Sequence, residues 1–79
     1  MDDKVLNVVK SAIGRRASEI SVELNGSTIK VTADTTEYHL STGGVFGIVS
    51  DNPIGSEEIE IADALTEAAK DIFIALLPF

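Results

Sequence analysis

A chain of 79 residues with 44% hydrophobic side chains has room for one globular domain and is too apolar for a disordered tail. Thirteen acidic residues against six basic ones leave a net charge of -7, a field that disfavours nucleic-acid phosphates and anionic membrane surfaces as partners. Without cysteine, and with His39 as its single histidine, the chain has no disulfide staple and no thiolate zinc site, so stability must come from a core or from self-association.

The chain opens Met1-Asp2-Asp3-Lys4, acidic and amphipathic, whereas a secretory signal opens basic and runs into an apolar stretch. No segment reaches the roughly 18 apolar residues of a membrane span. A cytoplasmic location is the default expectation. A first helix is predicted from Asp2 or Asp3, either one serving as its cap, to about Ile13. Val5, Leu6, Val8, Val9, Ala12 and Ile13 form one broad apolar face at helical spacing. Acids at its start and Arg15-Arg16 at its end suit the helix dipole, and Gly14 is a natural stop.

The sharpest local signal follows. Ile20, Val22 and Leu24 alternate with Ser21 and Glu23, and Ile29, Val31 and Ala33 alternate with Thr28, Lys30 and Thr32. Asn25-Gly26 between them fits the two central positions of a type I′ turn, which predicts a hairpin. That turn sets Leu24 opposite Ser27, Val22 opposite Ile29, Ile20 opposite Val31 and Ser21 opposite Lys30. Asp34-Thr35-Thr36 turns the chain into a third strand over 37–41, with Tyr38 and Leu40 facing inward. Thr42-Gly43-Gly44 turns it again into a fourth strand over 45–49, which Gly47 weakens.

After the loop Asp51-Asn52-Pro53-Ile54-Gly55, the segment 56–77 is mostly helical, capped by Ser56, with Glu57 and Glu58 in its first turn. Glu58–Ile61 also alternates, which leaves a short strand open there. The pattern as a whole is α+β: a two-layer sandwich in which an antiparallel meander of three to four strands carries both terminal helices on one face (α-β-β-β-β-α). The covered face holds Ile20, Val22, Leu24, Ile29, Val31, Tyr38 and Leu40.

A helical wheel of the last helix puts Ile61, Leu65, Ala68, Ala69, Ile72 and Leu76 on the core side. Phe73, Leu77 and Ile74 swing progressively off it, and Phe79 adds an apolar group at the tip. One helix covering one sheet has no use for so wide an apolar arc. Phe73, Ile74, Leu77 and Phe79 are therefore the expected interface, either in a homodimer or with another protein. The competing account is that the first helix packs on this flank, or that these are ordinary surface apolar residues.

Other constellations carry less. Glu37, His39 and Ser41 share one strand face, but neighbours there stand about 7 Å apart, too far to pass a proton from serine to histidine to acid. Gly44-Val45-Phe46-Gly47 has the spacing of a nucleic-acid-clamping loop but no basic residue beside it. Asp51, Glu57, Glu58 and Glu60 lack the alternation of a calcium loop. No catalytic, cofactor or metal residues are expected, and no enzymatic activity. The expected role is a small protein-interaction module that self-associates through the C-terminal helix. The alternative is an acidic mimic or inhibitor that binds a basic protein surface through Glu57, Glu58, Glu60, Asp63 and Glu67.

Overall fold

The structure, a computed structural model, describes residues 3–77. Helix α1 (Asp3–Ile13) leads through one tight turn (Gly14–Arg16) into strands β1 (Ile20–Asn25), β2 (Thr28–Ala33), β3 (Thr36–Ser41) and β4 (Gly44–Ser50). Helix α2 (Ser56–Ile74) closes the chain. The strands form one antiparallel sheet in the order β1-β2-β3-β4, and both helices pack against one of its faces. This is the α+β sandwich that the alternating and helical periods predict.

The core follows from those periods. In α1, Val5, Val9 and Ile13 recur every four residues and are fully buried. In α2, Ile61, Leu65, Ala69 and Ile72, at steps of four, four and three residues, are likewise buried. Between the helices and the sheet they enclose Val22, Ile29, Val31, Ala33, Tyr38 and Leu40. Each of the larger aliphatic side chains contributes about 1.5–3 kcal/mol by leaving water. The opposite sheet face is polar and partly wet, with Glu23 Oε2 lying 2.8 Å from Lys30 Nζ across the first hairpin. Among the described residues no helix is long and apolar enough to cross a membrane.

Three expectations need correction, and one open alternative is settled. The first hairpin turns on Gly26-Ser27, so Leu24 faces Ile29, Val22 faces Val31, Ile20 faces Ala33 and Glu23, rather than Ser21, faces Lys30. Gly26 alone carries the positive φ (60°) there, as a turn with glycine first requires, and Asn25 stays in the strand. Leu24, expected inside, is 48% exposed at the strand's end. Glu58–Ile61 is helix. The cap of α2 is Gly55, whose N–H donates to Glu58 Oε2 at 3.2 Å, while Ser56 is already helical. Asp2, one of the two candidate caps of α1, lies outside the described residues.

Two local devices had no sequence forecast. Asp34 has φ 55°, and its carboxylate accepts the backbone N–H groups of Ser18 (3.1 Å) and Glu19 (3.0 Å). That clasp ties the β2–β3 turn to the entry of β1. Gly44 (φ 118°) sits beneath α2, where an added Cβ would stand 2.6 Å from Thr66 Cγ2. Only glycine allows helix and hairpin to approach so closely.

Candidate interaction surface

At the end of α2 the backbone tightens. The N–H groups of Leu76 and Leu77 donate to the carbonyls of Phe73 (3.2 Å) and Ile74 (3.0 Å), three residues back. The turn stays wound past the last regular helical residue and sets Ile74 and Leu77 side by side. Both remain about half exposed, at 52% and 45%. Phe73 is half-buried and packs against the core cluster. Phe73, Ile74 and Leu77, with Lys70 and with Thr42 of the β3–β4 turn as the far lip, line a shallow depression of about 370 Å³. Phe79, the fourth expected interface residue, lies outside the described residues.

Helix α1 does not close this surface. It packs on α2 and β1 through Val5, Val9 and Ile13, and none of its residues lines the depression. The three described interface residues are thus brought together, with Phe73 serving as floor and Ile74 and Leu77 as rim. Lys70 and Thr42 were not foreseen. Lys70 was legible as a residue one turn before Ile74, whereas Thr42 reaches the site only through tertiary contact.

The polar constellations are drawn into local bonds. His39 Nε2 lies 3.7 Å from Glu37 Oε1, and its ring meets Phe46 at 6.0 Å between centroids. Ser41 accepts the N–H of Gly43 at 3.4 Å, inside its own turn. Along α2, Glu58 is taken by the Gly55 cap and Glu60 lies 3.8 Å from Arg16 Nε. Tyr38 is fully buried, and its hydroxyl makes no hydrogen bond of good geometry, with the Thr36 hydroxyl as its polar neighbour. Burial, reinforced by the carboxylates of Glu58, Glu57 and Asp34, pushes its pKa up to about 12.

No family model, curated protein or solved structure matches the chain.

Proposed function

We propose that the chain is a small cytoplasmic protein-interaction module that self-associates through the end of α2, with Phe73, Ile74 and Leu77 at the contact. The observation that supports this reading is the apolar depression rimmed by half-exposed Ile74 and Leu77, which no other described element covers. The whole chain exposes 4890 Å². A standard interface takes about 800 Å² from each partner, so a second copy would remove about a sixth of the wet surface of so small a domain. The gain is largest where side chains are apolar and already held in place by a wound helix end.

The role is non-catalytic in this reading, because Ser41 bonds within its own turn, apart from the Glu37–His39 pair. The acidic-mimic reading is weaker, since Glu58 and Glu60 are engaged within the chain. The two readings part on salt, because an acidic contact weakens as ionic strength rises and an apolar one does not. The direct test is sedimentation equilibrium of the native chain and an Ile74→Glu/Leu77→Ser variant. Leu77 is the better second position, because the Phe73 ring also supports the core.

A further inference from the structure

We propose that the free edge of β4 is a second self-association site, where residues 48–50 of two copies pair antiparallel about a twofold axis at Val49. The sheet order leaves two edges, β1 and β4. Strand β1 carries the charged Glu23, a common guard against edge pairing, whereas Gly44–Ser50 carries no charge and no proline.

The pairing pattern says which backbone groups are free. Alternate residues of an antiparallel strand bond to opposite neighbours. Ser41 and Gly44 close the β3–β4 turn, so Val45 points its N–H away from β3. That N–H is taken by Thr66 Oγ1 of α2 at 3.1 Å. Between His39 and Leu40 the register shifts, with Phe46 the extra residue on β4. Beyond the bulge, Ile48 faces Tyr38 and Ser50 faces Thr36. In β3, Thr36 and Tyr38 turn their backbone groups toward Ala33 and Val31 of β2. The N–H and C=O of Ile48 and Ser50 are therefore the ones aimed at the open edge.

This set is complementary to itself. A twofold axis at Val49 puts Ile48 opposite Ser50 of the second copy, and such a pair exchanges two N–H···O bonds. The symmetric pair repeats them. Val49 then meets its own copy on the outer face, where it is 56% exposed. The other side of the edge is equally prepared. The N-terminal turn of α2 stands over the Thr36 end of the sheet, and its C-terminal turn stands over Thr42. Helix α2 thus runs antiparallel to β4. Thr66 marks its edge-facing flank, and Ile59, two turns earlier on that flank, is 51% exposed. Val49 and Ile59 bracket the same end of the free edge from its two sides, and a second copy covers both. Asp63 shares that flank, one turn from Ile59, so added salt strengthens this contact by screening like charges.

The test is amide hydrogen exchange at micromolar and millimolar chain, beside sedimentation equilibrium. The Ile48 and Ser50 amides are expected to slow at high concentration, while Val45, already held by Thr66, does not change. Mass is expected to approach twice 8.4 kDa for the Ile74→Glu/Leu77→Ser variant, which keeps this edge. Val49→Lys and Ile59→Lys in that background are each expected to return it to monomer. Both replaced side chains are half exposed, so the fold survives. Equal exchange of Ile48 and Ser50 at both concentrations overturns the proposal. So does association that Ile74→Glu/Leu77→Ser removes and Val49→Lys leaves intact, a result that would still support the α2 surface.

Discussion

Helix α1 has 11 residues and turns Val5, Val9 and Ile13 wholly into the core; α2 has 19 residues and, besides its buried row, leaves Ile59, Ile74 and Leu77 about half exposed. Length explains part of the difference. At 1.5 Å per residue α1 spans about 16 Å and α2 about 28 Å. A six-residue strand covers about 20 Å. The first helix is shorter than a strand and the second longer, and at the end of α2 Phe73, Ala75 and Leu76 still pack on the core while Ile74 and Leu77 face away from it. A helix shorter than its sheet can bury its whole apolar face. One longer than its sheet must end polar or find a partner, and α2 ends apolar.

The largest expected effect sharpens this contrast within α2. Leu65→Ala removes a fully buried side chain and is expected to cost about 2–5 kcal/mol in denaturant unfolding. Ile74→Ala should change monomer stability by less than about 1 kcal/mol, because its side chain is half exposed. Similar losses at both positions would break the distinction between a core row and a contact row.

Next comes the fit between α2 and the second hairpin. Gly44→Ala pushes a methyl group into Thr66 and forces an L-residue into positive φ, and should destabilise by about 1–3 kcal/mol. Thr66→Ser removes the Cγ2 methyl and should recover part of that loss, read from the denaturant midpoints of the single and double variants.

A smaller effect of opposite sign is expected at Tyr38. Removing its hydroxyl, which reaches only Thr36 and forms no hydrogen bond of good geometry, by substitution with Phe should stabilise the fold by up to about 1 kcal/mol. The pH dependence has a definite direction. The phenol ionises near 10 when unfolded and near 12 when folded, so its neutral form is favoured by folding. Its contribution is complete below about pH 10 and is lost as the pH rises through about 12. Thermal melts between these values should fall for the native chain and fall less for Tyr38→Phe.

The order of elements and most of the core were legible because the two periods, 2 and 3.6, recur clearly in Val22–Leu24, Ile29–Ala33 and Ile61–Ile72. The hairpin register was not legible from that pattern. A slip of one residue turns every side chain over, but a slip of two keeps Val22 and Val31 on the apolar face. The pairing of Glu23 with Lys30 was the available signal, since opposite charges favour facing positions. Leu24 obeyed the alternation and still came out exposed, because no pattern within a strand says where the covering helix stops. Ile74 and Leu77 were legible as residues off the core face. Thr42 as their neighbour was not, and neither was the close approach that demands Gly44.

The most direct test of the central claim is sedimentation equilibrium of the native chain and the Ile74→Glu/Leu77→Ser variant, over a concentration range at low and high salt. The expected result is a native assembly that persists in high salt and a variant of smaller mass at the same concentration. A variant that sediments like the native chain under every condition would contradict the assignment of the α2 end as a contact surface.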